Sequence, residues 1–188
     1  MIEVRIHGRG GQGVVTSAEL LALAAFMEGR QAQAFPSFGS ERTGAPVVAF
    51  CRFDERPIRV REPIMAPDAL IVGDPTLLHQ VAVFDGLKDD GLVLLNSSRG
   101  GAALGLDELG ERLVTVPATA IAREHLGRPV PNAALLGGFA ALTGTVELDS
   151  VVAAICQRFS GAVGHGNAAA AAAAFAHVQG ARREPARA

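Results

Sequence analysis

Ile2-Glu3-Val4-Arg5-Ile6-His7, followed by Gly8-Arg9-Gly10-Gly11-Gln12-Gly13 and then Val14-Val15, is the stretch that decides the fold. It reads as a buried strand running into a glycine turn and a helix over Val14 to Met27. Glycines permit torsions and close approaches that a Cβ forbids, and the first amides of the helix point toward whatever sits over the turn. Gly8, Gly10 and Gly13 satisfy the spacing G-x-G-x-x-G of a dinucleotide fingerprint. The competing reading is a tight strand-to-helix turn that merely needs small residues. By that reasoning Gly11→Val harms folding through steric conflict at the turn.

The second half of the fingerprint is missing. A dinucleotide site places a carboxylate about 20 residues further on, at the end of the second strand, to hold the ribose hydroxyls. The second strand is predicted over Gln31 to Phe35 and runs into Pro36-Ser37-Phe38-Gly39-Ser40, with no acid at that point. Glu28 precedes the strand and Glu41 lies beyond the bend. An ordinary NAD-binding domain is therefore disfavoured, while a phosphate or coenzyme over the turn is allowed.

Composition narrows the class. A chain of 188 residues can bury one core, and a single domain over 1–180 is expected, with 181–188 a frayed tail. Hydrophobic residues make up 49% and charged residues 19%, a balance that favours burial of some surface against another protein. The formal net charge is −2 and Lys88 is the only lysine, so no basic stripe supports nucleic-acid binding. Cys51 and Cys156 are far apart, which excludes an iron–sulfur cluster of ordinary ligation and a structural zinc. Both are read as buried and reduced in a cytoplasmic protein. The N-terminus carries no secretory pattern, and the alanine run Ala168 to Ala174 is too short to span a bilayer.

Along the chain, strands alternate with helices. The first helix presents Val14, Val15, Ala18, Leu21, Ala22, Ala25 and Phe26 on one face and stops at Gly29. Ala45 to Phe53 is predicted as a central strand buried on both sides, Pro57 to Arg61 as a short edge strand, and Ala69 to Val72 as a buried strand. Asp74 and Pro75 start a helix with Leu77, Leu78 and Val81 on its face. Leu92 to Leu95 and Leu113 to Val116 complete the strands, and a helix runs from Thr119 through Leu126. The last third is helical: Ala133 to Leu142 behind an Asn132 cap, Leu148 to Phe159, and Ala168 to Val178, with Gly161 to Gly166 a mobile joint. The expected fold is α/β: a Rossmann-like, mostly parallel sheet with helices on both faces and a helical C-terminal third.

Few groups could carry chemistry alone. His7 ends the first strand beside the turn and could reach a ligand there, the plainer reading being a bond to a neighbouring carbonyl. His79 and His125 belong to predicted helices at the surface, and His165 is exposed. The segment Phe35-Pro36-Ser37-Phe38-Gly39-Ser40-Glu41-Arg42-Thr43-Gly44 follows a strand at its C-terminal end, the edge where open α/β sheets bind ligands. Arg42 could grip a phosphate or carboxylate in bidentate fashion, with Glu41 orienting it. The alternative is a Glu41–Arg42 surface contact with Phe35 and Phe38 in the core.

These two motifs together carry a resemblance. Gly-Arg-Gly-Gly-Gln-Gly-Val-Val at 8–15 and Gln-Ala-Phe-Pro-Ser-Phe-Gly-Ser-Glu-Arg-Thr-Gly-Ala-Pro-Val at 33–47 closely resemble the gamma subunit of 2-oxoacid:acceptor oxidoreductases of the pyruvate:ferredoxin type. The likeness continues through Pro57-Ile58-Arg59, Pro67-Asp68-Ala69, Asp74 to Leu78 and Pro131 to Gly137. It implies a Rossmann-like subunit, not active alone, of a complex that decarboxylates a 2-oxoacid oxidatively to acyl-CoA and carbon dioxide. It implies alpha, beta and delta-type partner subunits, with ferredoxin or an NAD-reducing subunit as acceptor. Thiamine diphosphate, Mg2+ and [4Fe-4S] clusters would be held by those partners, coenzyme A being the co-substrate. Phe-Pro-Ser-Phe-Gly points toward the pyruvate-like branch, which includes aryl 2-oxoacids such as phenylglyoxylate; Thr43 departs from the arginine of many relatives and removes one cation from the loop.

The resulting site prediction assigns no catalytic and no metal-binding residue. Gly8, Gly10, Gly11, Gln12, Gly13, Ser40, Glu41, Arg42 and Thr43 are the cofactor-facing set. The rival reading is a stand-alone dinucleotide-binding oxidoreductase domain using Gly8, Gly10 and Gly13 on NAD.

Overall fold

The computed structural model describes residues 1–37 and 43–183. Six strands form one sheet in the order β2-β3-β1-β4-β5-β6: β1 (Ile2–Arg9), β2 (Gln31–Pro36), β3 (Pro46–Asp54), β4 (Ala69–Val72), β5 (Leu92–Asn96) and β6 (Leu113–Val116). The helices are α1 (Val14–Met27), α2 (Ala118–Leu126), α3 (Asn132–Thr143), α4 (Leu148–Arg158) and α5 (Gly161–Arg183).

The α/β class and the helical last third stand, but the sheet is mixed. β1, β4, β5 and β6 run parallel to one another, whereas β3 is antiparallel to both β1 and β2. Too few residues separate Pro36 from Pro46 for a crossover, so β3 can only return antiparallel to β2.

Strand alternation divides the sheet faces sharply. Val4, Ile6, Ala49, Cys51, Phe53, Ile71, Leu94 and Val116 share one face, and their side chains join residues from all five helices in one hydrophobic core. The opposite face receives Arg5, His7, Phe50 and Arg52 and is closed by Ile64, Leu77 and Val83, all buried and none from an α-helix. The expectation of helices on both faces is thus corrected. The β3–β4 connection carries Pro57, Pro63 and Pro67, and the β4–β5 connection forms only the 3-10 turn Pro75–His79 and further turns, so turns and extended chain cover this face.

Arg52 shows how this works, because its side chain is only 1% exposed. Its guanidinium donates to the carbonyls of Val60 at 3.0 Å and Glu62 at 2.6 Å and lies 3.3 Å from the Glu3 carboxylate. The stretch Pro57 to Arg61 is consequently not an edge strand; its carbonyls are taken by Arg52, and by Gln33 at Ile58, instead of by a neighbouring strand. A second correction concerns Asp74-Pro75, which opens only a 3-10 turn, Pro75–His79, capped by the Asp74 side chain on the Thr76 amide.

Glycines explain two more differences. Gly161 to Gly166 is no joint but the first turns of α5, where small residues allow close packing. A Cβ on Gly164 would sit 2.1 Å from the Phe159 carbonyl oxygen, and one on Gly166 2.8 Å from that of His125. α5 also extends beyond Val178 to Arg183, taking in residues 181–183, and Arg182 donates to the Leu142 carbonyl. Asn132 does not cap α3: it is the first helical residue behind Pro131, and its side chain turns toward Gly13.

Candidate functional site

The glycine corner forms where β1 leaves the sheet. Gly10 donates to the Ala45 carbonyl at 2.9 Å and accepts from the Gly44 amide at 3.1 Å, bridging to Thr43. Gly11 and Gly13 have φ of 93° and 75°, the left-handed region that side chains with a Cβ rarely adopt. Gly13 also faces Asn132, whose Nδ2 would be 2.8 Å from a Cβ there. Gly8 has an ordinary φ, but its Cβ would meet Val14 Cγ2 at 2.5 Å.

α1 starts directly behind this corner with no side-chain cap and no acid in its first turn. The first amides of a helix have no intrahelical acceptor and carry the positive end of its dipole. Above them lies a cleft of about 330 Å³ lined by Gly10, Gly11, Gly13, Val14, Val15, Thr16, Val47 and Arg9. Among the described residues its lining offers an anion backbone donors and the Thr16 hydroxyl and no carboxylate, while the Arg9 guanidinium at its edge is engaged elsewhere.

The neighbouring crevice between β1 and β4, where the strand order switches and a dinucleotide would sit, is filled by the chain itself. Gln12 Oε1 accepts from the Arg9 amide at 2.8 Å, and Gln12 Nε2 donates to Asp74 Oδ2 at 3.0 Å. Arg9 Nε meets the same oxygen at 3.0 Å, while its other nitrogens donate to Gly44 O at 3.0 Å, Thr76 Oγ1 at 2.5 Å and Gln80 Oε1 at 2.8 Å. Burial pushes the Asp74 carboxyl up, but hydrogen bonds from Thr76 and Gln12 and the charge of Arg9 outweigh it and hold the pKa below its ordinary value. An ionised carboxylate at this point repels a pyrophosphate.

The predicted residues divide accordingly. Gly8, Gly10, Gly11, Gln12, Gly13 and Thr43 come together at the corner. Ser40, Glu41 and Arg42 lie outside the described residues, as does Phe38. Phe35 packs on Phe50, ring centroids 5.2 Å apart, on the face away from the helices. His7 faces that same side, where its Nε2 accepts from Arg5 Nε at 3.0 Å; burial, then the Arg5 charge, lowers its pKa to about 4. It is neutral and turned away from the corner. His79, His125 and His165 are exposed. Cys51 is buried, but Cys156 is exposed on α4, a correction that follows from its position on the outer side of an amphipathic helix.

Sequence reasoning missed Arg9, Asp74, Thr76 and Gln80 as one network. Arg9 hid inside the glycine motif, and Asp74-Pro75-Thr76 read only as a helix start. Among the described residues no group of three or more His, Cys, Asp or Glu could hold a metal ion, and no helix is long and apolar enough to cross a membrane.

Fold and corner together define an α/β chain with a glycine turn, at the start of α1, left open for a ligand. Residues 3–177 match the family model described as pyruvate ferredoxin/flavodoxin oxidoreductase, and the chain belongs to that family, in its gamma-subunit type. It is 51% identical over 182 residues to the pyruvate/ketoisovalerate oxidoreductases common subunit gamma of Pyrococcus abyssi, covering 95% of this chain and 98% of the relative. It is 50% identical over 179 residues to pyruvate synthase subunit PorC of Methanothermobacter thermautotrophicus, covering 95% and 97%. The crystal structure of pyruvate oxidoreductase subunit PORC from Thermotoga maritima superposes with a TM-score of 0.80 at 34% identity, over 93% of this chain and 95% of that one.

Proposed function

We propose that this chain is the gamma subunit of a thiamine-diphosphate-dependent, coenzyme A-acylating oxidoreductase acting on pyruvate or a related 2-oxoacid, and that its glycine corner lies at the coenzyme A approach. The observation that carries this reading is the uncapped first turn of α1 over Gly10, Gly11 and Gly13, open beside a crevice that Arg9, Gln12 and Asp74 fill. A phosphate-bearing co-substrate fits the open cleft, through amides and Thr16, while the filled crevice disfavours the dinucleotide alternative. That alternative is further weakened because the second strand, β2, lies beyond antiparallel β3, and the carboxylate that follows the parallel neighbour β4, Asp74, is already taken by Arg9, Gln12 and Thr76.

Thiamine diphosphate, when bound by the alpha- and beta-type subunits, supplies the decarboxylation chemistry, and iron–sulfur clusters of other subunits carry the electrons to ferredoxin or an NAD-reducing partner. Two separated cysteines, one buried, fit neither a cluster nor a metal in this chain. Its own residues bind and orient: the corner presents donors to a phosphate, and the network around Asp74 holds the turn rigid.

Co-expression with the partner subunits provides the test. The assembled complex should reduce its acceptor only with 2-oxoacid and coenzyme A together, and Thr16→Val should raise KM for coenzyme A with kcat little changed. Failure of the chain to assemble with those subunits, or micromolar NAD binding by the chain alone, overturns the reading.

A further inference from the structure

A second cleft, of about 350 Å³, opens at the C-terminal ends of β5 and β6. It shares no lining residue with the glycine corner, from which the Arg9–Asp74–Thr76 network separates it. Arg99 enters from the loop after β5 and Arg123 from the second turn of α2. Among the described residues neither guanidinium has a hydrogen-bond or ion-pair partner, and no carboxylate lines the cleft. Two like charges brought to one concavity without a counter-charge repel each other, so an entering anion gains from both.

Two hydroxyls add further donors. Asn96 is buried and donates through Nδ2 to Thr119 Oγ1 at 2.8 Å and to the Gly73 carbonyl at 2.9 Å, while its Oδ1 accepts from the Thr119 amide at 3.2 Å. Because Thr119 Oγ1 is already an acceptor, its own proton is left for the cleft. Ser98 adds an exposed hydroxyl, whereas Ser97 is spent on the Arg99 backbone. Pro75, Pro117 and Ala120 give the cleft an apolar wall.

We propose that this cleft binds a phosphate monoester, a second ligand distinct from whatever occupies the glycine corner. Two guanidiniums and two hydroxyl donors match a compact dianion with several acceptor oxygens, and a monovalent carboxylate would balance only one of the two charges. The apolar wall accommodates the sugar or alkyl part of the ester.

Calorimetric titration of the full chain with ribose 5-phosphate, inorganic phosphate and acetate tests this directly. Both phosphates should bind, and acetate at least about tenfold more weakly. R99Q and R123Q should each weaken phosphate about tenfold or more, the worth of a charged hydrogen bond, with the unfolding midpoint unchanged. R128Q, at an exposed arginine outside the cleft, should leave binding as it is. T16V, which alters the glycine corner and not this cleft, should also leave ribose 5-phosphate binding as it is. Equal affinity for acetate, indifference to R99Q and R123Q, loss of binding in T16V, or no phosphate binding would each overturn the proposal. A chain that bound phosphate here yet failed to assemble with partner subunits would sink only the coenzyme reading.

Discussion

Arg9 and Asp74 are 65 positions apart in sequence, and Arg9 Nε lies 3.0 Å from Asp74 Oδ2 in the crevice between β1 and β4. That contact joins the glycine turn to the turn after β4. Both side chains are largely sheltered, at 20% and 15% exposure, so the pair is screened less than a surface bridge. Arg9→Ala removes bonds to Asp74, Gly44, Thr76 and Gln80 at once and should destabilise the chain by about 1–3 kcal/mol. In a double-mutant cycle with Asp74→Ala, urea unfolding should show coupling of about 0.5–3 kcal/mol; additive losses would make the contact incidental.

Gly11 and Gly13 should respond differently to alanine. Both hold positive φ, but a Cβ on Gly11 meets nothing within 4 Å, whereas one on Gly13 meets Asn132 at 2.8 Å. Conformational strain alone costs Gly11→Ala about 1–2 kcal/mol. Gly13→Ala adds a packing conflict and should cost clearly more. The steric argument from sequence thus applies to Gly13, and at Gly11 the backbone is the cause. Equal losses in chemical denaturation would show that Asn132 simply moves aside.

The β1–glycine–α1 unit was legible because three local signals agree: an apolar run, glycines at the turn, and a 3.6-residue period after it. The two-faced sheet was not. Arg5, His7 and Arg52 sit in strands and read as interruptions, yet Arg5 and Arg52 are held by loop carbonyls and His7 by Arg5, partners that only the tertiary structure supplies. For the same reason Pro57 to Arg61 looked like a strand, since alternation cannot tell a strand from chain held by one arginine. At the site, Gly10 and Thr43 were both chosen from their motifs and do pair. The Arg9–Asp74 link, spanning strands far apart in sequence, left no local trace.

α3 and α5 approach so closely that a Cβ on Gly137 would lie 1.9 Å from the Ala171 carbonyl oxygen, a backbone atom that cannot swing away. Gly137→Ala should therefore push the helices apart and cost about 3 kcal/mol or more. Gly100→Ala, where nothing lies within 4 Å and φ is not positive, should stay within about 0.5 kcal/mol of the parent. Thermal or urea unfolding of the two variants side by side checks the contrast.

The two cysteines should separate kinetically. Burial pushes the Cys51 thiol far up, against a weaker opposing influence of Arg30 and Arg52, whereas Cys156 is exposed. The thiolate is the reactive form, so an aromatic disulfide reagent should label one thiol of the native chain promptly and the second only on unfolding. Prompt reaction of both would show that β3 opens far more readily than a core strand should.

Acid should weaken the fold through His7 before it does so through Asp74. The native pKa of His7, lowered by burial and then by Arg5, is about 4 against an ordinary 6.5. Between those values the unfolded chain takes up a proton that the folded chain refuses, so stability falls as pH drops from about 6.5 to about 4 and levels off below. A shift of this size corresponds to about 3 kcal/mol at most. Asp74, whose native pKa is also depressed, contributes stability that is present above its unfolded value and disappears at still lower pH, as the native carboxylate is finally protonated. Unfolding midpoints measured in urea from pH 7.5 to pH 3 should decline across the upper window in the parent. In His7→Gln, whose amide oxygen can still accept from Arg5, they should stay flat there. A parent profile as flat as the variant's would mean that His7 is protonated at an ordinary pH, and that the Arg5–His7 bond has been assigned the wrong proton.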